Sequence, residues 1–185
     1  VGSKVSPEEH FKVYRDFNGK QFAQFSDHLA HNTRYLEIGC SFGGVLKRVA
    51  DFGVAICHGI EPNEEDVQFV QKLCPGSKVF NSVVEDLELD SEYYDVVTSF
   101  EVLEHMVSPS SILKKVAGVM KKNGLINIEV PNHKDLLLSC YKNISYENFY
   151  YHKAHIHYFT KESLSQLLEV CGFDGAVSSF LMYPF

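Results

Sequence analysis

The chain reads as an α/β domain built on a mostly parallel sheet flanked by helices, and three observations predict this. Strand-like apolar runs alternate with helix-like periodic runs along most of the 185 residues. The stretch Tyr35-Leu36-Glu37-Ile38-Gly39-Cys40-Ser41-Phe42-Gly43-Gly44 reads as a buried strand that stops after a carboxylate, turns on glycine and enters a helix. A second carboxylate, Glu61, ends the next strand-like run within Gly59-Ile60-Glu61-Pro62-Asn63, 24 residues after Glu37. A glycine turn followed by an acidic strand end is how a Rossmann-like, doubly wound sheet holds a nucleoside.

The elements follow in order. Residues 8–29 carry Phe11, Tyr14, Phe17, Phe22, Phe25 and Leu29 at helical spacing, which predicts one or two helices broken near Asn18-Gly19. Arg34–Ile38 is a strand and Gly44–Phe52 a helix. Val54–Ile60 is the next strand. Glu64–Leu73 is a helix with Pro62-Asn63 at its start and Pro75-Gly76 past its end. Lys78–Val84 and Tyr94–Phe100 read as strands. Ser110–Lys122 is an amphipathic helix closed by Asn123-Gly124, and Leu125–Val130 is a strand closed by Pro131-Asn132. Residues 132–159, rich in Tyr, His and Asn, break the rhythm, as a functional insertion does. Thr160–Cys171 is a helix and Gly175–Met182 a sixth strand. The whole divides as an N-terminal helical segment (1–33), a nucleoside-binding core (34–131), an insertion (132–159) and a C-terminal helix and strand (160–185), all within one domain.

Bulk properties narrow the function. A net charge of −7 without a Lys/Arg run argues against a nucleic-acid partner. Five cysteines, an odd number with no Cys-x-x-Cys, predict free thiols in a reducing, cytoplasmic setting rather than a disulfide framework. No apolar run reaches the roughly 18 residues that span a bilayer, so no membrane partner is expected.

Four segments in order give the chain a family likeness: Leu-Glu-Ile-Gly-Cys-Ser-Phe-Gly at 36–43, Gly-Ile-Glu-Pro-Asn at 59–63, Tyr-Asp-Val-Val-Thr-Ser-Phe-Glu-Val-Leu-Glu-His at 94–105 and Val-Met-Lys-Lys-Asn-Gly-Leu-Ile-Asn-Ile-Glu-Val-Pro-Asn at 119–132. Across roughly residues 30–180 it resembles the class I S-adenosylmethionine-dependent methyltransferases. The resemblance implies a seven-stranded sheet, with S-adenosyl-L-methionine as cofactor and S-adenosyl-L-homocysteine as product. Three departures stand out. Ser41 replaces a usual glycine, which suits a position without positive φ. Val83 stands where many members carry an acid that takes the adenine amine. Nothing remains for the seventh strand, which inserts between the fifth and sixth, so either the chain is a shortened piece or the sheet is completed in another way.

The resemblance assigns Gly39, Cys40 and Gly43 to close backbone approach, Glu37 to the turn or the cofactor's amino group, and Glu61 with Pro62 to the ribose. Val84 and Glu85 fall where adenine binds, and Phe100 lines the pocket after the fourth strand. His105, at a helix start, either orients the acceptor or serves as a base, or else is a packing or capping residue. The run Phe149-Tyr150-Tyr151-His152-Lys153-Ala154-His155-Ile156-His157-Tyr158-Phe159 is similar to the acceptor segment of small-molecule and sugar methyltransferases, with His155 as the candidate base. A plain structural role for His155 stays open. No metal is assigned, because no Cys or carboxylate in this run is spaced to complete a zinc site. The expected function is methyl transfer to a small-molecule acceptor, with a sugar or polysaccharide unit as one option. The other readings are a regulatory domain that binds cofactor without activity and a nicotinamide-dependent oxidoreductase. Oligomeric state is not readable from these residues.

Overall fold

A computed structural model describes residues 6–140, 144, 147, 150, 151 and 153–180. Where the sequence reads as one domain, these residues group into two compact units. One holds the chain up to Phe100 together with Gly118–Ile128; the other holds Glu101–Ala117 together with the residues from Glu129 onward.

The first unit begins with helices α1 (Pro7–Val13) and α2 (Arg15–Ala23). Ser6 and Glu9 form a capping box at the start of α1, and Pro7 takes the first helical position, where its missing N–H costs nothing. The break falls at Tyr14 rather than at Asn18-Gly19, and α2 runs through that pair. Two contacts hold it helical there: the Asn18 side-chain amide donates to Gln21 Oε1 at 3.1 Å, and the Arg48 guanidinium donates to the Arg15 carbonyl at 2.6 Å. The approach to the following helix α3 (Gly44–Phe52) is close enough that a Cβ on Gly44 would lie 2.1 Å from Asn18 Oδ1. Phe25, in the turn after α2, stacks on Tyr35 at 5.7 Å and anchors the hydrophobic core.

The sheet consists of β1 (Arg34–Ile38), β2 (Ile56–Ile60), β3 (Lys78–Phe80), β4 (Tyr94–Phe100) and β5 (Met120–Glu129), in the order β3-β2-β1-β4-β5. β1 is parallel to β2 and β4, and β2 is parallel to β3. Ile38, Ile60 and Phe80 are register partners, so three strands end at one level. Strand order reverses between β1 and β4, which is the switch point where such sheets bind ligands. Helix α4 (Glu64–Leu73) starts at Asn63, whose side chain accepts from the Glu65 N–H at 2.9 Å.

Two boundaries differ from the sequence reading. Helix α5 (Pro109–Val119) ends three residues early and passes directly into β5. The reason is pairing: Glu92 N–H bonds the Gly118 carbonyl at 3.1 Å and Tyr93 N–H the Val119 carbonyl at 2.8 Å. These bonds draw the backbone into the ladder before Asn123-Gly124 is reached. The sixth strand is absent from residues 175–180, and Leu181 and Met182 lie outside the described residues.

The second unit contains most of α5, a short helix α6 (Leu136–Ser139) and α7 (Lys161–Val170), the last opened by a Thr160/Ser163 capping box. An isolated parallel bridge joins Asn132 to Phe159. Among the described residues no helix is long and apolar enough to cross a membrane, and all five thiols are free.

Candidate active site

The turn after β1 has three residues in the left-handed region, Gly39 (φ 71°), Ser41 (φ 44°) and Gly43 (φ 74°). The Gly39 and Cys40 amides both donate to the Ile60 carbonyl, at 2.9 and 3.0 Å, and the Gly43 amide donates to the Cys40 carbonyl at 2.7 Å. A Cβ on Gly43 would lie 2.8 Å from Val70 Cγ2, so this corner tolerates no side chain. Ser41 stands at φ 44°, where the glycine it replaces would be unstrained, and carries a strain of roughly 1–2 kcal/mol. Its amide donates to Glu61 Oε2 at 2.9 Å, which gives the conformation its anchor. Ser41→Gly should therefore stabilise the fold by about 0.5–1 kcal/mol after the extra unfolded-state entropy is counted. Thermal unfolding followed by circular dichroism checks this, with an expected rise of about 1–4 °C.

Glu61 stands at the end of β2 and is 8% exposed. Its second oxygen, Oε1, accepts from the Asn63 amide at 2.8 Å. Each oxygen thus uses one lone pair on the backbone and keeps another for a ligand. Burial pushes its carboxyl above the usual range, and the Asn63 and Ser41 amides pull it back. Glu37 is buried within β1, and its Oε2 has no hydrogen-bond partner among the described residues. Its carboxyl is pushed up to about 8, by burial first; the Leu46 amide and Tyr35 hydroxyl lower it and the Glu61 charge raises it. Two neighbouring carboxyls, one with an orphaned oxygen, suit a ligand that brings positive charge and hydroxyl donors.

The remaining sequence candidates of this unit are placed as follows. Cys40 is 3% exposed, and burial with the nearby carboxyls holds its thiol protonated. Its Sγ lies where a Cβ on Gly59 would be, at 2.7 Å, so it acts as a packing group between β1 and β2. Pro62 is exposed, and the Asn81 side chain donates to its carbonyl at 2.9 Å. Val84 is buried in a 3₁₀ turn (Val84–Asp86) while Glu85 and Val83 face solvent. Phe100 belongs to the core, its ring 6.2 Å from Phe25.

The second unit gathers a different set. Glu101 (φ 55°) donates its amide to the Glu129 carbonyl at 2.9 Å. A 3₁₀ turn, Leu103–His105, buries Glu104 to 1% exposure and leaves His105 at the surface. The Glu104 carbonyl accepts the amides of Ile156 and His157, both at 3.0 Å, and this docks the segment carrying His155. The two imidazoles come to 4.8 Å between centroids. Nearby, His133, Tyr150, Tyr151 and Tyr158 form an aromatic group with centroid separations of 5.1–6.4 Å. Phe149 and His152 lie outside the described residues. Glu101 keeps contact with solvent, yet desolvation, then the Glu104 and Glu129 charges, push its carboxyl up to about 8. Glu104 is pushed up to about 7, by burial first and with His105 opposing. The sequence reading named Phe100 before this turn and His105 at its end but gave Glu104 no role, although Glu101-x-x-Glu104-His105 sets both acids beside a histidine within one tight turn.

Comparison with known proteins decides the family. A profile described as a methyltransferase domain matches residues 11–177, nearly the full chain. The chain belongs to the methyltransferase-domain family. This methyltransferase domain is similar to the ubiquinone biosynthesis O-methyltransferase of Photobacterium profundum, at 31% identity over 63% of this chain and 52% of that protein. It thus spans about half the length of the curated relatives it matches. Its fold is that of an S-adenosylmethionine-dependent methyltransferase from Archaeoglobus fulgidus (26% identity, TM-score 0.68, 89% of this chain and 74% of that one). A second such structure, from Thermotoga maritima, gives 22% identity and a TM-score of 0.69 over 91% and 77% of the two chains. Class I enzymes use S-adenosylmethionine. The residues present fit that group: it brings cationic groups and hydroxyl donors, and the two carboxyls have acceptor positions left open.

Proposed function

We propose that this protein transfers a methyl group from S-adenosylmethionine to a hydroxyl oxygen of a small-molecule acceptor. The observation that supports it most is Glu61, held by two backbone amides at the end of β2 with a lone pair left on each oxygen. Gly39, Ser41 and Gly43 give the backbone its close approach, Glu37 and Glu61 meet the charged and hydroxyl groups, and the turn around Val84 and Glu85 is the adenine side. S-adenosylmethionine supplies an already activated methyl group. The protein's share is alignment and exclusion of water, worth up to roughly 7–11 kcal/mol where orientation is tight. Oxygen is preferred because the relatives are named O-methyltransferases. Their names give no support to a sugar acceptor. The aromatic group around His133, Tyr150, Tyr151 and Tyr158 favours an acceptor with a flat ring.

His105 and His155 act on the acceptor through Nε2, since Nδ1 of each meets a backbone carbonyl, Ala154 at 2.7 Å and Tyr150 at 3.1 Å. The test is methyl transfer to a panel of phenols and other hydroxyl compounds. His155→Ala is expected to lower turnover while S-adenosylhomocysteine affinity, read by calorimetry, stays within about twofold. Unchanged turnover removes His155 from the chemistry. Inertness of the unaltered protein across the panel, with cofactor still bound, favours a regulatory domain instead.

A further inference from the structure

We propose that Asn81 reads the base of the cofactor, accepting a hydrogen of the adenine 6-amino group on its side-chain oxygen. Asn81 is the first residue after β3, as Glu61 is after β2, and the two strands end level, with Ile60 and Phe80 as register partners. The Glu61 amide donates to the Phe80 carbonyl at 3.0 Å, which ties the two exits together. The Asn81 side-chain nitrogen then donates to the Glu61 carbonyl at 3.1 Å and to the Pro62 carbonyl at 2.9 Å.

That pair of bonds fixes which way the amide faces. A carbonyl only accepts, so the side that meets two carbonyls is the nitrogen, and both of its hydrogens are used. Turning the amide over would set its oxygen against two acceptors. Oδ1 therefore points away from the 61–62 backbone, and it makes no hydrogen bond among the described residues. Asn81 is exposed, so a ligand at this edge of the sheet can reach it. The result is an acceptor oriented before any ligand arrives, which spares the ordering entropy that a loose side chain loses on binding.

A nucleoside brings a donor to that point. Its ribose lies on Glu61 in the methyl-transfer reading, on which this assignment rests. The glycine turn after β1 flanks Glu61 on one side and receives the sulfur-bearing chain. The base leaves the ribose the other way, over the end of β3. Adenine carries a donor amino group at carbon 6, where guanine and hypoxanthine carry an acceptor oxygen. A fixed acceptor at that edge selects the first and leaves the second facing an unpaired oxygen. Val83 and Val84, which follow, are apolar, so Asn81 supplies a contact that neither side chain can make. Glu85 and Asp86, exposed in the same 3₁₀ turn, are the rival acceptors.

The test is calorimetry with S-adenosylhomocysteine and with S-inosylhomocysteine, whose base carries an oxygen in place of the 6-amino group. The unaltered protein should favour the adenosyl compound by about tenfold or more. Asn81→Ala also frees the two backbone carbonyls, so it should weaken both ligands, and a purely structural role would stop there. Reading of the base shows in the ratio of the two affinities, which should fall to within about twofold. Glu85→Gln and Asp86→Asn should leave that ratio unchanged. Equal binding of the two compounds by the unaltered protein overturns the proposal, and this needs no variant to fold. A ratio kept in Asn81→Ala, or lost in Glu85→Gln or Asp86→Asn, overturns it as well. If neither compound binds the unaltered protein, the cofactor reading falls and the role of Asn81 with it. Binding without preference for the base removes Asn81 alone and leaves the cofactor in place.

Discussion

Glu61→Ala is expected to weaken S-adenosylhomocysteine binding by about 2–4 kcal/mol, because both ribose hydroxyls lose a charged acceptor. The side chain does two jobs at once. Through Oε2 it holds the Ser41 amide in a left-handed turn, and through Oε1 it holds the Asn63 amide at the start of α4. Alanine therefore also releases two backbone donors, and unfolding should begin earlier. Glu61→Gln separates the two effects. It keeps one acceptor oxygen for the backbone or the ribose but carries no charge, so its affinity should fall between those of the unaltered protein and the alanine variant. Calorimetry with S-adenosylhomocysteine and with NADH, on samples whose unfolding midpoints are known, gives the answer. An alanine variant that binds S-adenosylhomocysteine normally removes Glu61 from the site. Tighter binding of NADH than of S-adenosylhomocysteine to the unaltered protein would turn the chain into a dinucleotide enzyme.

Much of the first unit was legible because its signals are local. Leu36 to Gly44 declares a strand, a turn and a helix within a single heptad or so, and Asn63 caps α4 by bonding two residues away. The parallel arrangement followed from alternation, since parallel neighbours need crossover helices. The misread boundaries were those decided by distant partners. Helix α5 stops at Val119 because Tyr93 pairs with it, and Asn18-Gly19 stays helical because α3 packs there. No periodicity within either segment reports such contacts. The conformation of Ser41 was not readable for a related reason: its amide is held by Glu61, 20 residues on. The same limit hid Glu104. In the sequence it is one acid among 24 Asp and Glu residues. Only folding buries it, strips it of hydrogen bonds and sets His155 against it.

Glu37→Gln is expected to stabilise the protein at pH 8 by up to about 4 kcal/mol while changing little near pH 4.5. The sign follows from the shift. The Glu37 carboxyl is raised from an ordinary 4.5 to about 8 in the folded chain, chiefly because burial disfavours its charged form. The unfolded chain therefore releases this proton first as pH rises. Stability linked to Glu37 is complete below about pH 4.5 and is lost progressively up to about pH 8. Glutamine is isosteric, keeps an acceptor for the Leu46 amide and never ionises, so it escapes the loss. Glu101 and Glu104, raised to about 8 and about 7, titrate over an overlapping range in both proteins, and the difference between the two isolates Glu37. Urea unfolding at pH 5 and pH 8 measures it; an equal difference at the two pH values rules the linkage out. The same substitution should move ligand affinity the other way. A carboxyl kept at such a cost, with Oε2 unpartnered, is stabilised by a cationic ligand, and its amide is not. Glu37→Gln should thus be the more stable protein at pH 8 and the weaker binder of S-adenosylhomocysteine, whose ammonium group is the charge in question. A variant that is more stable and binds as tightly would make Glu37 a residue of the turn alone, and the cofactor would rest on Glu61 without it.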